Sequence, residues 1–143
     1  MNVAPYFFIW EILNARIDTV YGIIFREKTN KEVFMVKVVG VVINMIKYDE
    51  NNFVVLEVDD GTGVIPIKVI GNKEKIADEI NRIQVGDYVL IIGRVKIWKK
   101  ERYILPIKIC KLVFEEAIFQ RFLRVLEYVS ISEQYREADF SKV

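Results

Sequence analysis

Hydrophobic and polar positions change period several times along this chain. From residue 32, "EVFMVKVVGVVINMIKY" is rich in β-branched residues and carries Gly40 in its interior. That predicts one long strand with a bulge or sharp bend where the glycine sits. "YDENN" (48–52) is turn chemistry. In "FVVLEVDD", Val54, Leu56 and Val58 alternate with Phe53, Val55 and Glu57, the pattern of a half-buried strand. After "DGTG" comes "VIPIKVI", with Ile65, Ile67 and Val69 on one face. Pro66 has no N–H to give a ladder, so it predicts an edge strand or a bulge. "NKEKIADEINRI" (72–83) spaces Ile76, Ile80 and Ile83 for a helix and offers Asn72 as its cap. "QVGD" turns into "YVLIIGRVKIW", where Gly93 repeats the mid-strand glycine, and "KKER" connects tightly to "YILPIKICKLVF". Upstream, "FFIWEILNARI" (7–17) predicts a short helix or turn with Phe8, Ile12 and Ala15 on one face. "TVYGIIFREKTNK" then passes through Gly22 and a polar cluster into the first long strand.

Five coiled strands with one helix between the third and fourth predict a mainly β domain, a five-stranded OB-fold barrel. Closing so short a sheet needs strong curvature, and the two glycines and Pro66 mark places to bend. A β-sandwich accommodates the single helix poorly. The expected organisation is an N-terminal extension packing on the barrel (1–31), the barrel itself (32–113), a C-terminal amphipathic helix (114–130) and a polar tail that frays (131–143).

The C-terminal helix has the sharpest pattern. In "EEAIFQRFLRVLEYVS", Ile118, Phe119, Phe122, Leu123, Val125, Leu126 and Val129 fill an arc of roughly 160° at about 100° per residue. Glu116, Gln120, Arg121, Arg124, Glu127 and Tyr128 occupy the remainder. A helix that merely plugs the barrel needs a stripe nearer about 100°. The breadth therefore predicts helix–helix association rather than a plug.

Composition narrows the function classes. The chain of 143 residues is 52% hydrophobic, with a net charge of +1. No run reaches the roughly eighteen apolar residues of a membrane span, and the apolar N-terminus lacks the basic leader and small-residue cleavage site of a signal peptide. The sole cysteine, Cys110, allows no internal disulfide and points to a reducing, intracellular compartment: cytoplasm or nucleoid, or nucleus in a eukaryote. Histidine is absent, which removes the Ser–His and Cys–His nucleophile pairs and most zinc chemistry. No enzyme, metal, cofactor or small-molecule substrate is expected.

The near-neutral sum hides a polarised surface. Arg94, Lys96, Lys99, Lys100, Arg102, Lys108 and Lys111 stand against Glu101 alone, while residues 49–60 hold five acidic residues and no base. Along the fourth barrel strand, Val89, Ile91, Val95 and Ile97 point to the core. Leu90, Ile92, Arg94, Lys96 and Trp98 point outward, followed by Lys99, Lys100 and Arg102 in the connection. Cations leading to a flat ring suit a single nucleic-acid strand, because phosphates and bases are met together. Tyr48 and Phe53, beside the first connection, are weaker candidates, and Phe53 could equally pack beneath the N-terminal segment. The alternative is that Trp98 caps the barrel and the lysines solvate a hairpin. Asp59 and Asp60 are adjacent at a strand end, so alternation sends their side chains apart and favours a turn over a metal pair.

"VKVVGVVINM", "FVVLEVDDGTGVIPIKV", "VGDYVLIIGRVKIW" and "RYILPIKICKL" resemble, in order, the OB domain of the middle subunit of replication protein A. The related subunit of the CST-type telomere complex is similar too. The resemblance implies single-stranded DNA as ligand, and two other OB-fold subunits joined through a three-helix core. It places Trp98 where the family has a stacking aromatic. The second such aromatic ends the third strand, where this chain has Ile70 and Gly71. One base platform implies modest DNA contact, and the winged-helix extension of many middle subunits does not follow, so a small-subunit role stays open. The rival readings are a protein-interaction scaffold whose OB face is covered by its own N-terminal aromatics, suggested by outward Leu90 and Ile92, and an RNA- or tRNA-binding OB module appended to an enzyme, which no residue here singles out.

Overall fold

A computed structural model describes residues 4–26, 31–48, 53–71 and 74–141, with backbone alone at 74–75 and 131–141. The elements are α1 (Ile9–Asn14), β1 (Arg16–Asp18), β2 (Ile23–Phe25), β3 (Glu32–Val33), β4 (Val36–Tyr48), β5 (Phe53–Asp59), β6 (Val64–Ile70), α2 (Glu74–Arg82), β7 (Tyr88–Trp98), β8 (Glu101–Leu112) and α3 (Phe114–Ser141). Strands β4 to β8 close into a barrel of order β4-β5-β6-β8-β7 with α2 between its third and fourth strands. This is the expected OB-fold.

Strand β4 makes closure possible by changing partners along its length. Its first half pairs with β7 through Val36–Val41, and its second half pairs with β5 through Val41–Tyr48. The bulge lies between Val42 and Asn44 rather than at Gly40. Gly40 answers a different need: a Cβ there would stand 2.7 Å from the Asp59 carbonyl oxygen. Gly93 is tighter still, at 2.4 Å from the Leu105 carbonyl oxygen, and it sits at the register shift of the β7–β8 ladder. Pro66 makes no bulge; it stands opposite Glu57 in a regular ladder. Its strand is nevertheless thinly held on the other side, by the single parallel pair Ile67↔Ile104.

The core follows from alternation. Leu56, Val58, Ile65, Ile67, Val89, Ile91 and Ile104 are all fully buried. Helix α2 adds Ile76 and Ile80, and Ile83 follows just past its end, as the spacing predicts, while the expected cap Asn72 lies outside the described residues. Helix α1 adds Ile9 and Ile12, with Phe7 just ahead of it, to the same cluster. Three short antiparallel strands, β1-β2-β3, form a second small sheet that the sequence pattern did not predict. They also interrupt the expected first strand, which breaks at Phe34 and Met35. Helix α3 continues to Ser141 where a frayed tail was expected; the stretch 131–141 holds neither Gly nor Pro to stop it.

Candidate nucleic-acid interface and assembly face

The β7–β8 hairpin builds the outer surface. Lys99 and Lys100 form its two-residue turn, both left-handed at φ 50° and 65°. That geometry matches the twist of the flanking strands and favours Asn-Gly, so two lysines hold it under strain. Register then sets Glu101 opposite Trp98, Tyr103 opposite Lys96 and Leu105 opposite Arg94. Residues directly opposite share a face, so one outer surface carries Arg94, Lys96, Trp98, Glu101 and Tyr103.

Barrel closure brings β6 alongside. The Lys68 ammonium lies 4.4 Å from the Tyr103 ring centroid, 6.0 Å from that of Trp98 and 3.1 Å from Glu101 Oε1. Lys99 Nζ stands 4.6 Å from the centroid of Trp98, which is 61% exposed. One same-face step along β6, Ile70 is exposed and opposite Phe53. The Phe53 ring rests 5.4 Å from that of Tyr48, tilted by 31°. The structure therefore gathers Trp98, Arg94, Lys96, Lys99, Lys100, Tyr48 and Phe53 onto the outer side of the barrel. Lys68 and Tyr103 were missed. Alternation in "VIPIKVI" already places Lys68 opposite in facing to Ile65, Ile67 and Val69.

Arg102 does not join them. Its Nη1 donates to the carbonyl oxygens of Ile12 (2.7 Å) and Ala15 (2.6 Å), closing the C-terminal end of α1. It shares the parity of buried Ile104, so it points under the hairpin rather than out from it. Leu90 is also accounted for: it packs on the small cluster of Tyr6, Val39 and Ala117.

The "DDGTG" turn is structural and reaches far. Asp59 Oδ1 accepts from Gly61 N at 2.8 Å. Asp60 Oδ1 accepts from the Thr62 amide (2.8 Å) and hydroxyl (2.6 Å), while Oδ2 accepts from the Ile9 amide at 2.8 Å. Thr62 Oγ1 takes the next amide of the helix, that of Trp10, at 3.2 Å. The turn thus caps α1 from across the sequence, satisfying donors every helix N-terminus leaves open. Among the described residues, no group of three or more His, Cys, Asp or Glu is arranged to hold a metal.

Helix α3 sits on the barrel by its polar side. Ala117, Arg121, Arg124 and Tyr128 recur at spacings that share one helix face. Arg121 donates to the Asp60 carbonyl at 2.7 Å and lies 4.6 Å from the Phe8 ring centroid. Arg124, 1% exposed, pairs with Glu11 and lies 4.4 Å from the same ring. Glu127 accepts from Arg26 at 3.1 Å, and Arg26 in turn donates to the Tyr6 carbonyl at 2.6 Å. Burial, then neighbouring Arg124, lowers the pKa of Arg26. The apolar side faces away: Ile118, Phe119, Phe122, Leu123, Val125, Leu126 and Val129 are 41% to 59% exposed.

Comparison with known proteins agrees with this geometry. A family described as OB-fold nucleic acid binding domain matches residues 36–112. A 32 kDa subunit of replication protein A from Oryza sativa subsp. japonica is 30% identical over 92 residues, 64% of this chain and 30% of that protein, so the chain spans under a third of its relative's length. A chain from a replication protein A heterotrimer bound to ssDNA has a TM-score of 0.73 at 22% identity, covering 91% of this chain and 98% of the other. A chain from the S. pombe Stn1-Ten1 complex has a TM-score of 0.66 at 19% identity, covering 90% and 95%. At those identities the two structures share the fold with this chain.

Proposed function

This chain belongs to the family of OB-fold nucleic acid binding domains, and we propose that within it the chain is a non-catalytic subunit of a heterotrimeric single-stranded DNA-binding complex of the replication protein A kind, serving replication, repair and recombination. Trp98 stacks a base while Arg94, Lys96, Lys99 and Lys100 meet phosphates. DNA contact is modest, because Ile70 stands where a second stacking ring would sit. Two further OB subunits join through α3 in a three-helix core. The curated relative and the heterotrimer chain support this reading by likeness. A lone cysteine, Cys110, is compatible with a reducing intracellular setting.

The observation that carries the proposal is the orientation of α3. A helix held to its own barrel by arginines, with an apolar stripe turned to water, leaves that stripe for other helices. Replacing Val125 and Leu126 by glutamate tests it. Both are exposed, so the variant should keep its circular dichroism spectrum and lose co-purification with partner subunits. A complex that survives the double substitution sinks the assembly role.

A further inference from the structure

Among the described residues around Trp98, the carboxylate of Glu101 has a definite place. Glu101 stands opposite Trp98 in the hairpin register, with Oε1 3.1 Å from Lys68 Nζ. Its partner ammonium is also held against the rings of Tyr103 and Trp98. The two ends of this ion pair differ in freedom. The Lys68 side chain is 18% exposed and that of Glu101 is 55% exposed. Lys68 is fixed by the rings around it, whereas Glu101 can swing into water with little loss of packing.

We infer that Glu101 is a displaceable internal ligand: it neutralises Lys68 in the free protein and leaves when a backbone phosphate takes its place. This rests on the single-strand-binding reading above. A phosphate oxygen offers the same charge-assisted bond that the carboxylate gives up, so the exchange by itself yields little affinity. A base stacked on Trp98 supplies what the exchange lacks, and that stack requires Lys99 to leave the ring it now faces. The site therefore answers to a phosphate and an unstacked base presented together rather than to anionic charge alone. Glu101 is a positioning and specificity residue; it does not stack or hold the strand itself.

The test uses the full chain, with partner subunits where they co-purify, and labelled oligothymidylate as probe. Glu101→Gln keeps the shape and removes the charge. It should tighten binding by about three- to tenfold at ~0.1 M salt, the scale of one unscreened charge at such range. The slope of log affinity against log salt should stay close to that of the wild type, because Lys68 meets the same phosphate in both complexes. The gain in affinity should vanish in a Lys68→Gln background. Unchanged or weaker binding by Glu101→Gln overturns the inference, as does a gain that persists without Lys68. If Trp98→Ala weakens binding while Glu101→Gln leaves it unchanged, this inference falls and the single-strand-binding reading stands. A wild-type complex whose binding Trp98→Ala leaves intact overturns both.

Discussion

Arg124 of the C-terminal helix is buried against Glu11 of the N-terminal helix, with its Nε and Nη1 unpaired among the described residues. Glu11 is shared: Arg26 Nε lies 3.9 Å from it and the Phe8 amide donates to it at 2.8 Å. The carboxylate is thus the keystone of the pair. Glu11→Ala strands the buried guanidinium of Arg124, while Arg26 keeps Glu127 and the Tyr6 carbonyl, and should lower stability by roughly 3 kcal/mol. Arg124→Met keeps apolar contact with Phe8 and Tyr128 and leaves Glu11 with Arg26, so it should cost about 1 kcal/mol. Denaturant midpoints of the two variants check the order. Equal losses would contradict it.

Tyr6 is nearly buried and its hydroxyl has no hydrogen-bond partner among the described residues. Desolvation raises its pKa from 10.0 to about 12. Folding therefore favours the neutral phenol. Its contribution is whole below the unfolded value of 10.0 and is lost as pH rises toward about 12. Stability should fall between those limits, read by thermal melts alongside tyrosinate absorbance. Tyr6→Phe should flatten that limb and leave stability at neutral pH unchanged or raised by about 1 kcal/mol, since an unpaired buried hydroxyl is removed.

Trp98 and Arg102 are close in sequence and separate in role. Trp98→Ala should weaken single-strand binding about tenfold, one lost stack, with stability barely altered. Arg102→Met should leave affinity within about twofold and lower stability by about 2 kcal/mol, because two carbonyls at the end of α1 lose their donor. A reversal of these outcomes would place the interface elsewhere.

The strained turn sets stability against binding. Lys99→Asn with Lys100→Gly relieves two left-handed lysines and should stabilise the fold by about 1–2 kcal/mol. The same pair of changes should flatten the salt dependence of binding by about 0.7 for each phosphate no longer neutralised. A stabilised variant with an unaltered salt slope would show that these lysines do not meet phosphate.

The barrel was legible because its signal is local. Alternation and two interior glycines settle which side chains face in, and the close approaches at Gly40 and Gly93 explain why no larger residue stands there. The strands β1 to β3 span three, three and two residues, too short for any period to show. Arg102 was misplaced because it was read as part of a connection. Counting back by twos from buried Ile104 would have turned it inward. The docking face of α3 was hidden for a deeper reason. Amphipathicity says which side of a helix is apolar, not which side meets its own barrel. Arg121 and Arg124 contact the domain because Phe8, Glu11 and Asp60 await them from other parts of the chain.

One residue, Asp60, joins its turn to a helix 51 residues earlier through its carboxylate and to another 61 residues later through its carbonyl. Such joints predict a folding order. The β5–β6 hairpin closes a short loop and should form first, with both helices docking once its turn exists as a receptor. Weakened docking should then speed unfolding and leave the folding rate almost untouched, as stopped-flow kinetics of Arg121→Ala would show. Helices α1 and α3 should then be the first elements to let go, with the arginine face of α3 parting from its receptor before the barrel itself opens.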